Sequence, residues 1–340
     1  MEHVGIDLHQ KYSEICCLSG EGEVILRRRI PTTEASLRRV FARREPCRIV
    51  IESCSQAPWV ARLLGSLGQE VVVVNPRRVR LIAESTLKND AFDAEILARL
   101  GRFDLELLGP VHQRSEASQL LRTRLRVRGT LVKSRTAMIN MVRGSLRSAG
   151  IRMGSSTAAG FVARFTQTTL PKHLLEVLDP VIETIAELSA RIAGLDEELV
   201  REARSDELLR RLQTVPGVGP LVSLAYVGWM DQPERFRKSR DVGACLGLRP
   251  RIRDSGGRQR RGHITREGDK EMRRLLVQAA HASLQCQKDS ALKRWTESLA
   301  ERVGKKKAVV ATARKIAVLL HRLWVTGDCF QPFPNVTAAQ

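Results

Sequence analysis

Aromatic residues are scarce: two Tyr, four Trp and eight Phe, 4% of a 340-residue chain. A protein that holds nucleic acid chiefly by stacking bases on rings needs more, so a stacking platform is excluded as the main binding device. Acidic charge is in deficit, with 37 Asp+Glu against 57 Lys+Arg and a net charge of +20. That imbalance points to a polyanionic partner, nucleic acid first. No apolar run reaches the ~18 residues of a membrane helix, so no membrane partner is expected. The chain opens on a strand pattern without a secretory leader, which makes the cytoplasm, at the nucleoid, the expected compartment. The seven cysteines (Cys16, Cys17, Cys47, Cys54, Cys245, Cys286 and Cys329) are odd in number and form no CxxC pair. A disulfide framework and a zinc site are therefore excluded, and the thiols read as small apolar residues in a reducing compartment. What is plentiful is apolar surface, 43% of residues, enough for two or three domains with real cores.

Strand and helix patterns alternate over the first hundred residues. His3–Leu8, Tyr12–Leu18 and Glu23–Ile30 read as three consecutive strands, with a turn at Gly20-Glu21-Gly22. Thr33 is a candidate N-cap for a helix reaching Arg44, with Leu37, Val40 and Phe41 on one face. A buried strand at Arg48–Glu52 follows. Next come a helix over 57–67 with Pro58 in its first turn, a strand at Glu70–Val74 stopped by Asn75-Pro76, and a helix from Asp90 to Arg102. Three antiparallel strands followed by helix–strand–helix–strand–helix is the order of a ribonuclease-H-like domain. A doubly wound α/β fold is the alternative.

Residues 114–205 change character. Leu125, Val132, Ile139 and Leu146 recur every seven residues. Leu174, Leu178, Val181, Ile185, Leu188, Ile192, Leu195 and Leu199 alternate spacings of four and three. Both are coiled-coil seams. Asp179-Pro180 reads as the N-cap and first position of the second helix, leaving Leu174–Leu178 outside it. Gly150–Pro171 reads as a small-residue linker. Such an arm pairs with itself as a hairpin or with another copy.

Beyond it, Val215-Pro216-Gly217-Val218-Gly219-Pro220 sits between two helical patterns and resembles a helix-hairpin-helix turn, in which Gly217 and Gly219 let backbone N–H groups approach a phosphate. A basic, glycine-rich loop follows, with Arg249, Arg251, Arg253, Arg258, Arg260 and Arg261 around Asp254-Ser255-Gly256-Gly257. Asp269–Leu284 and Lys305–Trp324 read as helices. The expected division is 1–110, an α/β RNase-H/RuvC-like domain; 111–205, a long helical coiled-coil arm; 206–290, a mostly α domain with the helix-hairpin-helix-like element and Ser255; and 291–340, a basic helical extension and tail.

Four acids stand out. Asp7 lies in the first strand and Glu52 ends the fourth. Asp90 and Asp93, at i and i+3, share one side of a helix start. An unpaired carboxylate in a buried strand is costly. Asp7 beside Glu52 is suited to Mg²⁺, and two such ions stabilise the attacking and leaving oxygens of a phosphoryl displacement. Taken alone, Asp90 and Asp93 read equally as solvated charges favoured by the helix dipole. A Gly-Ile-Asp strand also opens actin-like kinases, but Gly256-Gly257 among arginines makes a poor adenosine site. Ser255 has arginines on both sides, and a serine needs a base, a metal or dense positive charge to act as nucleophile. Without a family it reads as a loop serine. The arginines at 122, 124, 126 and 128, with those at 27–29 and 258–261 and the lysines at 305–307, spread a nucleic-acid footprint along the chain, and Arg122 and Arg126 are candidate contacts.

Together these residues resemble the DEDD transposases of bacterial insertion sequences, the Piv/MooV-like group of insertion-sequence family one hundred and ten, bridge-RNA-guided recombinases. The shared marks are Gly-Ile-Asp-Leu-His at 5–9, Ile-Glu-Ser-Cys at 51–54, Val-Val-Asn-Pro at 73–76 and Lys-Asn-Asp-Ala-Phe-Asp-Ala at 88–94. Further on they are Val-Pro-Gly-Val-Gly-Pro at 215–220, Leu-Gly-Leu-Arg-Pro at 246–250, Asp-Ser-Gly-Gly at 254–257 and Gly-His-Ile-Thr-Arg-Glu-Gly-Asp at 262–269. The chain departs from the pattern at Ser55, where a glycine is usual, and around Trp59. The resemblance implies a RuvC-like domain with Asp7, Glu52, Asp90 and Asp93 as Mg²⁺ ligands. It implies Ser255 as the nucleophile that forms a phosphoserine link to DNA, assisted by the acidic cluster of a partner protomer. It also implies a noncoding bridge RNA that pairs with donor and target DNA, and a homo-oligomer, dimer or tetramer, assembled through the arm. Base pairing then supplies sequence, and the protein supplies charge and geometry. Two other readings remain: a hydrolytic RuvC-like, structure-selective nuclease that needs only the carboxylates, and an inactive nucleic-acid-binding remnant.

Overall fold

A computed structural model describes residues 1–82, 90–255 and 258–333. The described side chains exclude those of Leu81, Ile82, Arg253, Ser255, Arg258, Gln259, Arg260 and Arg261, and Lys88-Asn89 and Gly256-Gly257 lie outside the described residues. The chain divides into two compact units, Met1–Arg114 and Ser115–Gln340. The first is a mixed α/β sheet unit and the second is mostly helical.

In the first unit, β1 (His3–Leu8), β2 (Tyr12–Leu18), β3 (Val24–Pro31), β4 (Arg48–Glu52) and β5 (Glu70–Val74) form one sheet in the order β3-β2-β1-β4-β5. β1–β2 and β2–β3 pair antiparallel, while β1–β4 and β4–β5 pair parallel. Its helices are α1 (Glu34–Phe41), α2 (Ala57–Ser66), α3 (Pro76–Ile82) and α4 (Asp90–Phe103). The Thr33 side chain accepts from the Ser36 amide and caps α1, as the sequence predicts. α3 is the element the sequence hides: Pro76 closes a strand, yet it also opens a helix, because a first-turn proline lacks only an N–H that has no helical partner.

Strand alternation sends the β1 side chains to two faces. Val4 and Ile6 pack with Ile15, Ile49 and Ile51 against Leu37, Phe41, Val60 and Leu64 of α1 and α2. On the other face Val50 and Val74 meet Leu97, while Cys16 and Leu18 meet Ala94 and Ala98, so α4 covers that side. Gly5 belongs to the α4 face. A Cβ there would overlap the Ala94 carbonyl oxygen and the Ala98 amide, so only glycine lets α4 come this close. Cys16, Cys17 and Cys47 are buried as small apolar residues, and burial pushes the Cys17 thiol to about 12 and Cys47 to about 11. Cys54, Cys245 and Cys329 are exposed, so that reading fits only part of the set.

The second unit begins with α5 (Glu116–Ser148), α6 (Phe161–Thr166) and α7 (Lys172–Ser205). The two seams meet within one chain: Ile139, Val142 and Leu146 of α5 pack with Leu178, Ile182 and Ile185 of α7, closed by Phe161 and Phe165 of α6. Arg124–Glu202 at 2.6 Å and Arg128–Asp196 at 2.7 Å tie the helices side by side. α7 does not start at Pro180 but runs through it from Lys172. Packing of Leu178 against the α6 aromatics offsets the lost N–H of an interior proline, so propensity yields to tertiary contact.

Then come α8 (Glu207–Leu212), α9 (Pro220–Met230), a short 3₁₀ turn, α10 (Arg240–Cys245), β6 (Pro250–Ser255), β7 (Arg258–Ile264), α11 (Lys270–Gln285), α12 (Ala291–Val303) and α13 (Lys305–Thr326). α12 is a second helix in the extension, where the sequence suggests one. A core of α9, α11 and α13, including Tyr226, Trp229, Leu276, Ile316 and Leu320, organises the unit. The expected arginine loop is instead a two-stranded antiparallel ribbon.

Candidate active site

Asp7 sits one position past Ile6, and Glu52 one past Ile51; Ile6 and Ile51 are direct partners in the parallel β1–β4 ladder. The two carboxylates therefore stand side by side at the strand ends. Asp7 follows Gly5 by two residues and Glu52 follows Val50 by two, so both lie on the face that α4 covers. Asp90 and Asp93 occupy the first turn of α4, and Gly5 brings that helix down. The loop after β1, the end of β4 and the start of α4 thus converge.

The electrostatics reflect the crowding. Burial pushes the Asp7 carboxyl up; its His9 hydrogen bond pulls the other way, and Asp90 and Asp93 push it further up. Burial also raises Glu52, followed by Asp7 and Asp93, with Arg80 in opposition. Asp7 and Glu52 both feel neighbouring carboxylates, so ionising the pair without a cation is costly.

The sequence reading misses His9 as a site residue. Its Nε2 lies 2.9 Å from Asp7 Oδ2 and 3.5 Å from Asp90 Oδ2, so Asp7, His9 and Asp90 offer three ligand atoms within 4.8 Å of one another. Tyr12 donates its hydroxyl to Asp90 Oδ2 at 3.2 Å, and the Arg29 guanidinium lies over the Tyr12 ring at 3.5 Å. The signal was present: His9 follows Asp7 by two residues at a strand end, where i and i+2 share a side. Hard carboxylate oxygens with one imidazole fit a divalent cation such as Mg²⁺ or Mn²⁺.

Ser255 ends β6, where its backbone pairs with Arg258 across the ribbon; Arg253 pairs with Arg260 and Ile252 with Arg261. Arg251 is exposed and donates to the Thr265 carbonyl. Gly217 has φ +84 and its α-carbon faces the Ala279 carbonyl of α11, so packing alone accounts for its missing side chain. Gly219 is the N-cap of α9 and has open space around it. Of the α5 arginines, Arg122 pairs with Asp269 at 2.6 Å, Arg124 and Arg128 pair with α7, and Arg126 is exposed.

Two family models match, one described as a transposase, of the DEDD IS110 type, over residues 4–151, and one described as "Transposase IS116/IS110/IS902 family" over 209–295. The class is therefore transposase, an activity of cutting and rejoining DNA. A "Probable family 20 transposase" of Pseudomonas aeruginosa is 31% identical over 98% of this chain and 99% of its own length. The "Transposase for insertion sequence element IS1328" of Yersinia enterocolitica is 30% identical over 96% of this chain and 98% of its own. A third, the "Transposase for insertion sequence element IS1111A" of Coxiella burnetii, is 28% identical over 96% and 91%. The chain belongs to the IS116/IS110/IS902 family of insertion-sequence transposases. Among the described residues no helix is long and apolar enough to cross a membrane.

Proposed function

We propose that this transposase cuts and rejoins DNA through a phosphoserine link at Ser255, with the acidic cluster as its metal site. The convergence of Asp7 and Glu52 at neighbouring strand ends with the first turn of α4 carries the reading. The sheet order β3-β2-β1-β4-β5 supports a RuvC-like identity for residues 1–110. Asp7, Glu52, Asp90 and Asp93 would hold Mg²⁺, with His9 against Asp7 and Asp90. When bound, the ion supplies charge stabilisation to the oxygens around phosphorus.

In the first step the Ser255 Oγ attacks a DNA phosphorus. An Oγ–P bond forms, the bond from phosphorus to one deoxyribose oxygen breaks, the serine proton leaves to solvent, and the departing oxygen is protonated to a hydroxyl. A hydroxyl from a second strand reverses these changes and frees the serine. One ester replaces another, so no nucleotide cofactor is needed. Arg251, Arg253, Arg258, Arg260 and Arg261 would hold the phosphates on either side of Ser255, which the cross-strand pairing of Ser255 with Arg258 supports. Gly217, Gly219, Arg122 and Arg126 would contact nucleic acid elsewhere, Arg122 only by leaving Asp269. A noncoding bridge RNA would select donor and target at the nucleoid. The α5–α7 pair at 111–205 would serve as a coiled-coil arm joining protomers into a dimer or tetramer, with 206–290 as the serine-bearing part and 291–340 as a basic extension.

A hydrolytic nuclease is the second reading, favoured by an acidic cluster that is complete without Ser255. Asp7→Asn tests the metal site: with labelled element-end DNA and Mg²⁺, the variant is expected to bind as wild type and to lose cleavage by at least about a hundredfold. Undiminished cleavage would remove the acidic cluster from the reaction.

A further inference from the structure

The second unit holds a cavity of about 460 Å³ between α5, the start of α9 and the first turns of α11. That size lies in the roughly 300–1,000 Å³ range of small-ligand sites. Its floor is apolar, built by Leu125, Leu221, Met272 and Leu275. The acids in its wall are already neutralised: Asp269 pairs with Arg122, and Glu271 with Arg274. Arg128 is held by Asp196. Arg126, Lys133 and Lys270 remain in the wall, and none makes an ion pair among the described residues.

Cations outnumber acids in the wall even though Lys133 also lies near enough to Glu271 to help hold its carboxyl down, and an apolar floor under such a rim suits an amphipathic anion. A duplex meets only half of that demand, because it turns phosphates outward and keeps its bases stacked inside. An unpaired nucleotide meets both halves. We propose that this cavity takes one unpaired nucleotide of a single strand, its base against the floor and its flanking phosphates on Arg126, Lys133 and Lys270. Gly129 gives a handle on the cavity. It lies mid-helix in α5, where glycine is unfavourable, yet a Cβ there meets nothing within 4 Å. Gly129 lines the cavity, so a side chain built there enters its open space. The inference rests on the reading that the chain handles nucleic acid, not on the serine chemistry.

Fluorescence anisotropy of the full chain tests it with three labelled oligonucleotides of one mixed sequence: single-stranded DNA, single-stranded RNA and duplex DNA. G129L fills the cavity from a position with free space. R126E/K133E reverses the rim, and R147E, exposed at the end of α5 and outside the cavity, controls for charge. G129L is expected to weaken single-strand binding at least about tenfold, with its salt dependence unchanged and duplex binding intact. R126E/K133E is expected to lower the single-strand salt slope by about 1.4, from ~0.7 per lost phosphate contact, whereas R147E keeps the preference for strand over duplex. The strand with the larger loss, DNA or RNA, identifies the source of the nucleotide. A G129L protein with a wild-type melting curve and undiminished single-strand binding overturns the proposal. So does an equal loss of strand and duplex in R126E/K133E, which decides the matter even if G129L fails to fold. Ser255→Ala is expected to bind as wild type, so failure of the catalytic reading would leave this result standing.

Discussion

Asp7 and Glu52 hold their protons more tightly than free carboxyls, because burial and neighbouring carboxylates disfavour their charge. Between the unfolded value of about 4 and the raised folded values, the folded state binds more protons, so stability falls as pH rises through that window. Above it the first unit carries the full electrostatic cost, which a divalent cation relieves. In chelator near pH 7.5, Asp7→Asn is expected to melt above wild type, and the gap to close as pH falls toward about 4. Mg²⁺ is expected to raise the wild-type melting temperature and to leave the variant nearly unmoved. A wild-type melting curve indifferent to both pH and Mg²⁺ would contradict the crowding. Asp7 and Glu52 stand out in the sequence because a carboxylate in an apolar strand is anomalous on its face, whereas Asp90 and Asp93, at a helix start, read equally as solvated charges. His9 carries only the weaker signal of standing two residues past Asp7, because its contact with Asp90 depends on the fold bringing together residues 83 positions apart.

At the level of elements, the acidic site depends on how closely α4 lies on β1. Gly5→Ala sets a Cβ into the α4 backbone and is expected to cost about 1–3 kcal/mol or more in a urea titration, as overpacking does. A neutral result would mean that α4 is not seated on Gly5. Pro180→Ala runs the other way: it restores an N–H to an interior turn of α7 and is expected to stabilise the protein by up to about 3 kcal/mol. Destabilisation there would show that the proline shapes the helix. Strands β1, β2, β4 and β5 are read at their observed bounds, because alternation and β-branched runs are local signals. The β6–β7 ribbon is not, since arginine and glycine dominate it and its strands are defined by pairing with each other rather than by an apolar face. α3 and the first two turns of α7 are hidden behind prolines, where rules for stopping and starting a helix give the wrong bound.

On the scale of the whole molecule, a net charge of +20 coexists with a tight cluster of acids. The excess cations offset the repulsion of a nucleic-acid partner from those carboxylates, and binding is expected to weaken steeply with salt. Much of the basic charge is nonetheless internal: three of four arginines on the first turns of α5 hold acids of their own unit. Charge counting therefore overstates the free footprint. The central claim is that Ser255 becomes bonded to DNA. The most direct measurement is a denaturing gel of the full chain with labelled element-end DNA, Mg²⁺ and RNA transcribed from the element's flanks, wild type beside Ser255→Ala. The account predicts a labelled protein–DNA adduct with wild type and none with the variant. Free cleaved DNA without an adduct, and equal in both, would contradict it and make this protein a hydrolytic metal nuclease.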